Sequence, residues 1–373
     1  MVDPSEQFKF ELSEELENIL FYWKKFSIDE EHGGFVGQRD HYNNQIPEAS
    51  KGVILNTRIL WTFSAVANYK GEKSGEPSSI AHRAYGYLKR AFQDNIFGGV
   101  YWELDLKGNP INKRKQIYAQ AFAIYALSEY FLLSGDENAK NWALSLFRLI
   151  EKHARDQKEN GYLEAFQENW APIEDMRLSE KDKNSEKTMN THLHVLEAYT
   201  TLYKISEDAE VKEALENLTT LFLEKFYYPK NQHLQLFFDK QWNREGNIVS
   251  YGHDIEAIWL IIEAAKASGN EDLLKKAEKI AVPVAETFLK EAYVPKKGII
   301  NEKDLDSGKT DMDRHWWPQA EAMVGLNYAW NISGKKEFRN AIFDIWDYTK
   351  EHIIDHENGE WFFRVDENNR PYK

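Results

Sequence analysis

A polar turn, usually with glycine and followed by a short β-prone run, recurs about every sixty residues along this 373-residue chain. The six copies are "DEEHGGFVG" from Asp29, "DNIFGGVYWEL" from Asp94, "DQKENGYLEAF" from Asp156, "YPKNQHLQLFF" from Tyr228, "VPKKGIINE" from Val294 and "DHENGEWFF" from Asp355. Helical periodicity fills the gaps between them. "AFAIYALSEYFLLSG" sets Phe122, Tyr125, Ala126, Tyr130 and Leu133 on one face and ends at Gly135. The same pattern predicts helix pairs over 50–70 and 76–93, 186–204 and 209–226, 252–268 and 271–292, and 312–332 and 336–353, with further helices over 5–27 and 138–154. Many of these segments are apolar on more than one face, as when one helix layer covers another. Six helix–turn–helix units can close into an (α/α)6 barrel, with the helix after each turn inside; an open α-solenoid fits the same repeat. The prediction is one all-α catalytic domain over 1–373, with β-structure confined to hairpins at the turns. Eleven helices are legible where the ring wants twelve. The expectation is that the natural chain continues past Lys373 for one more inner helix.

The formal net charge of −14 argues against nucleic acid or an anionic membrane as partner. Absence of cysteine removes disulfides, thiolate nucleophiles and thiolate metal sites together. "MVDPSEQFKF" lacks the apolar core of a signal peptide, and no run reaches a membrane span, so a cytoplasmic protein is expected. The 12 Trp, 19 Tyr and 21 Phe suit sugar stacking, although most belong in a bulky helical core.

Unusual polar residues collect at the heads of the inner helices. "NTRILWTF" has Arg58, and "QIYAQAFAIYAL" has Tyr118 and Gln120. "MNTHLHVLEAY" aligns Asn190, His194 and Glu197 on one face, with His192 pointing elsewhere. "YGHDIEAIW" pairs His253 with Glu256, and "DRHWWPQAEAMVG" has Trp316, Gln319 and Glu321. Singly, each has a plain structural reading: Asn190 as a helix cap, Asp254 and Glu256 as dipole partners, His194 as a core histidine, Trp316–Trp317 as packing. Recurrence at equivalent points of separate repeats favours a shared central cavity.

Three chemistries compete for that cavity. The two His-x-x-Glu pairs suit a hard metal, but the spacing is common by chance. Glycoside hydrolysis needs two carboxylates across a cleft, whereas the best-placed groups are histidines. Proton transfer at a carbon next to a carbonyl needs a base near neutrality, as imidazole is at about 6.5, and cationic or hydrogen-bonding groups for the enediolate. Arg58, Asn190 and a second histidine fit the third.

"NTHLHVLEAYTTLY", "YGHDIEAIWLI" and "HWWPQAEAMVG" resemble, in order, the signatures of cellobiose 2-epimerases in the N-acylglucosamine 2-epimerase superfamily, and the likeness runs from "GGFVG" to "GEWFFRVDENNRP". The resemblance implies an (α/α)6 barrel that interconverts reducing-end glucose and mannose of β-1,4-linked disaccharides through a cis-enediolate, with no cofactor and no metal. It implies His253 as a general acid/base, His194 in ring opening, and Glu256 as the residue that orients His253. It further implies Arg58 and Asn190 on O1 and O2, Tyr118 and Trp316 on the sugar, and Asp182 as a further contact. Close rivals are an aldose–ketose isomerase, an N-acylglucosamine 2-epimerase of the same superfamily, and a barrel that only binds oligosaccharide. The expected partner is a small disaccharide, and the expected state a monomer or weak homo-oligomer. The family has a further motif, W-K-C-P-Y-H-N-G-R, whose histidine is the second acid/base; it would follow Lys373. A chain ending there is expected to be poorly active.

Overall fold

The computed structural model describes residues 4–180 and 182–372. Eleven α-helices lie among them. Five form an inner layer: α2 (Val53–Lys70), α4 (Ile117–Ser134), α6 (Met189–Ser206), α8 (Tyr251–Ser268) and α10 (Trp316–Ser333). The outer layer is α1 (Pro4–Phe26), α3 (Glu76–Tyr87), α5 (Glu137–His153), α7 (Ala209–Leu221), α9 (Glu271–Glu291) and α11 (Lys336–Tyr348). The pairs expected from periodicity are thus present in order. Three inner helices start a few residues later than expected, because Lys51–Gly52, Lys187–Thr188 and Arg314–His315 are short strands ahead of α2, α6 and α10.

The two layers differ as their sequences demand. Helix α4 buries residues on nearly every face, including Ala119, Ala121, Ala123, Ile124, Ala126 and Leu127. Helix α5 buries one stripe, Ala139, Trp142, Ala143, Leu146, Phe147 and Ile150, the spacing of a helix wet on its other side. Each inner helix is 18 residues long and stops at a residue in the left-handed conformation: Gly71, Gly135, Glu207, Gly269 or Gly334. Equal lengths keep the five helices in register, so equivalent residues lie at equivalent depths.

The inner helices pack in sequence, α2 on α4, α4 on α6, α6 on α8 and α8 on α10. Among the described residues helices α10 and α2 do not pack on one another in this way, which leaves the inner ring open between them. Outside, α1 meets α11: Phe8 sets its edge on Phe343 and Trp346, and Glu11 accepts hydrogen bonds from the Trp346 indole and Lys350.

Short strands stitch neighbouring repeats. The strand ahead of each inner helix pairs antiparallel with the turn of the following repeat: Lys51–Gly52 with Glu103–Leu104, Lys115–Gln116 with Ala165–Phe166, Lys187–Thr188 with Phe237–Phe238, Ile248–Ser250 with Glu302–Asp304, and Arg314–His315 with Arg364–Val365. Three of these strands carry a fully buried lysine. Each reaches the turn aspartate of its own repeat: Lys51 to Asp29 at 2.7 Å, Lys115 to Asp94 at 2.6 Å and Lys187 to Asp156 at 3.0 Å. Where the turn lacks aspartate, the lysine is gone too. The fourth repeat has Val249 in that place, and the fifth has Arg314, which donates to the carbonyls of Lys297 and Met312.

A second latch uses the fourth residue of the inner helices. Gln120 grips the backbone N–H and C=O of Val100, and Gln319 grips those of Ile299. His192 Nε2 accepts the N–H of Tyr162, and Asp254 accepts that of Leu234. Four polar residues at the helix heads therefore hold turns in place. Asp254 also binds buried His233 at 2.7 Å, which accounts for one of the two acids in "YGHDIEAIW".

Candidate active site

Register carries the other polar residues into one cavity. The sixth residues of the five inner helices are Arg58, Phe122, His194, Glu256 and Glu321. The ninth include Trp61, Tyr125, Glu197 and Trp259, one turn deeper.

Arg58 is enclosed by the barrel yet open to cavity solvent. Its guanidinium lies 4.2 Å over the Phe122 ring, and it donates to the Tyr118 hydroxyl at 3.4 Å. Burial opposes its charge, but Tyr118, Glu197 and Glu256 outweigh that and hold its pKa above the ordinary value. The Tyr118 ring meets His194 edge-on at 5.0 Å, and Phe122 tilts against the same imidazole at 4.8 Å. His194 is buried, and its Nδ1 is 3.0 Å from Glu197 Oε2. Burial lowers the pKa of His194, while Glu197 opposes the fall.

His253 stands one helix along. Its Nδ1 is 2.7 Å from Ser250 Oγ, and its ring packs against Trp317 at 4.7 Å. The Trp317 ring occupies the space beside Gly252, where an added Cβ would come within 2.4 Å of it. The imidazole is half-buried. Burial, aided by the charge of His194, pushes its pKa down to about 3. Its position in the first turn of α8 acts in the same direction, since a helix N-terminus disfavours a cation.

The resemblance implies Glu256 as the residue that orients His253; among the described residues no hydrogen bond joins the two, and Ser250 bonds the Nδ1 of that ring. Glu256 is instead buried beside Glu321 and Glu197. Its pKa is raised, first by burial and then by those two carboxylates, with Arg58 opposing. Glu321 accepts from the Trp259 indole at 2.9 Å and is raised to about 7, chiefly by burial. Carboxylates from α6, α8 and α10 thus surround one guanidinium from α2.

Asn190, second in α6, keeps its side-chain oxygen buried with no hydrogen-bond partner among the described residues; Thr188 is the cap. Trp316 is 39% exposed at the head of α10. Asp182 stands apart in the loop before α6, its carboxylate accepting from the amide and hydroxyl of Ser179. Asp311, Asp313 and His315 offer three ligand atoms within 4.8 Å of one another. Those two carboxylates are already engaged, with Asn301 and with Arg364 and Tyr372. Ser250 and Trp317 were missed from sequence: a serine ahead of a helix reads as a cap, and a tryptophan beside another as packing.

An α/α barrel whose inner helices converge two histidines, an arginine and hydrogen-bonding groups on one cavity defines a site for acid–base chemistry on a small polar molecule. The chain belongs to the N-acylglucosamine 2-epimerase (GlcNAc 2-epimerase) family, whose sequence model it matches over residues 33–373. It is 45% identical over 358 residues to a cellobiose 2-epimerase of Bacteroides fragilis, covering 96% of this chain and 91% of the relative. It is 39% identical to one of Dictyoglomus turgidum, over 97% of this chain and 92% of that one. The solved cellobiose 2-epimerase of Bacillus thermoamylovorans superposes with a TM-score of 0.94 at 38% identity, covering 99% of this chain and 94% of that one.

Proposed function

We propose that this protein is an isomerase that inverts C2 of the reducing-end glucose or mannose of β-1,4-linked disaccharides such as cellobiose, lactose or mannobiose. The observation that carries the mechanism is the pairing of a neutral imidazole, His253, with a cavity-facing guanidinium, Arg58. Deprotonation next to a carbonyl needs a base with a free lone pair and a cation for the oxyanion it creates. Burial keeps His253 unprotonated at neutral pH.

In the proposed sequence His194 assists ring opening, which frees the C1 carbonyl. His253 takes the C2 proton, and the bonding pair of that C–H becomes the C1–C2 double bond of a cis-enediolate. Arg58 and Asn190 hold its oxygens, and the unpaired Asn190 side-chain oxygen is free to accept a sugar hydroxyl. After rotation about C2–C3 a second general acid delivers a proton to the opposite face of C2 and His253 releases its own to solvent, so the overall proton count is unchanged. Tyr118 and Trp316 grip the sugar, with Asp182 a further contact from the loop. Glu256 acts through the charge of Arg58 rather than through His253.

Residues 1–373 belong to one catalytic domain. It works in the cytoplasm as a monomer or weak homo-oligomer; no helix among the described residues is long and apolar enough to cross a membrane. The test is to incubate the full natural chain with cellobiose, mannobiose and mannose separately and follow products by NMR. The reading expects glucosyl-mannose from cellobiose. Fructosyl products alone, or turnover of mannose alone, would replace it with the isomerase reading.

A further inference from the structure

Two inner helices begin with a hydroxyl residue at the capping position, and the two hydroxyls are used differently. Thr188, ahead of α6, does what the position favours: its Oγ1 accepts the N–H of Thr191 at 3.2 Å. The histidine of that first turn, His192, bonds the Thr188 carbonyl at 2.7 Å and serves as a latch. Ser250, ahead of α8, makes no capping bond with its side chain. Its hydroxyl meets the ring of His253 instead, at 2.7 Å. That choice leaves a first-turn amide of the helix without its usual side-chain acceptor. Among the described residues the serine hydroxyl has no other hydrogen bond.

The consequence falls on the tautomer. A neutral imidazole carries one N–H and one lone pair, and the bond at one nitrogen decides which nitrogen holds which. With Nδ1 bound to Ser250, Nε2 is the nitrogen left free. We propose that Ser250 is a positioning residue: its oxygen accepts the Nδ1–H of His253 and so keeps the Nε2 lone pair on the cavity side. The inference rests on the assignment of His253 as the C2 base. Trp317, seated against Gly252, packs on the imidazole, and Ser250 holds one of its ring nitrogens. A hydroxyl serves here where a carboxylate would not. It accepts the same N–H whether the ring is neutral or has taken a proton, without adding a charge that would trap the proton on the ring.

Three variants of the full natural chain test this: Ser250→Ala, Ser250→Thr and His253→Gln. Ser250→Ala is expected to lower kcat about tenfold or more, the scale on which acid–base efficiency depends on protonation state. KM should move by no more than about twofold, since uniform binding is untouched. Ser250→Thr keeps the hydroxyl and should restore most of kcat. In 15N NMR of labelled histidine, His253 should be protonated at Nδ1 in the wild type and lose that preference in Ser250→Ala. Thermal melts compared with Thr188→Ala should show the smaller loss for Ser250→Ala, because only Thr188 caps its helix. Wild-type kcat in Ser250→Ala with activity abolished in His253→Gln would overturn the role of Ser250 alone. Activity surviving in His253→Gln would overturn the underlying assignment of the base. A wild-type His253 protonated at Nε2 contradicts the proposal directly.

Discussion

His194 and His253 sit on adjacent inner helices and face the same cavity, yet they are partnered in opposite ways. His194 gives Nδ1 to a carboxylate, Glu197, at 3.0 Å, and its faces are closed by Tyr118 and Phe122. His253 gives Nδ1 to a neutral hydroxyl at 2.7 Å and, among the described residues, has no carboxylate on its ring. Burial lowers both pKa values, but only for His194 does a paired anion oppose the fall. The partner of one ring nitrogen therefore sets the basicity of the other. The carboxylate behind His194 opposes the loss of its proton, whereas the hydroxyl behind His253 adds no such opposing charge and leaves it an open base.

Removing the base is the harshest way to break this comparison. His253→Gln should reduce turnover by about 10²–10⁴, the usual contribution of a positioned acid/base, while leaving the melt near wild type at neutral pH. Arg58→Met should cost about 10²–10³ in kcat, as loss of one oxyanion-stabilising group does, and steady-state kinetics would register it in kcat rather than KM. Ser250→Asp would make His253 resemble His194. Its imidazole pKa should rise, and the acid limb of the kcat/KM profile should move to higher pH with it. Glu197→Gln makes the reverse change and should lower activity about tenfold, with the His194 pKa falling further in an NMR titration.

A smaller effect is expected in stability. Between about pH 3 and 6.5 the unfolded chain binds a proton at His253 that the folded chain refuses, so stability is lost as pH falls through that window. His253→Gln should melt higher relative to wild type at pH 5 than at pH 7.5. Glu321 has the opposite sign: raised to about 7 when folded against about 4.5 when unfolded, its contribution is lost as pH rises across that range. Glu321→Gln should flatten that slope in pH-dependent melts.

The sixty-residue turn repeat made the barrel legible, because each polar turn and each 18-residue inner helix is written in local sequence. The residues lining the cavity were legible through register: Arg58, His194 and Glu256 all fall sixth in their helices. What each one touches was not. Spacing places Glu256 within reach of His253, but spacing equally allows the residue three positions back, and Ser250 is the one bonded. Gln120 and Gln319 looked like site residues and proved to be latches, since their partners lie in turns about twenty residues earlier, beyond any helical periodicity.

The central claim is that His253 removes the C2 proton. The direct test is cellobiose in D₂O with the full natural chain, following deuterium at C2 of the reducing-end sugar by NMR beside disaccharide binding by calorimetry. The wild type should incorporate deuterium as the mannose epimer forms, and His253→Gln should bind the disaccharide without exchange. Deuterium entering C2 at the wild-type rate in His253→Gln would contradict the account.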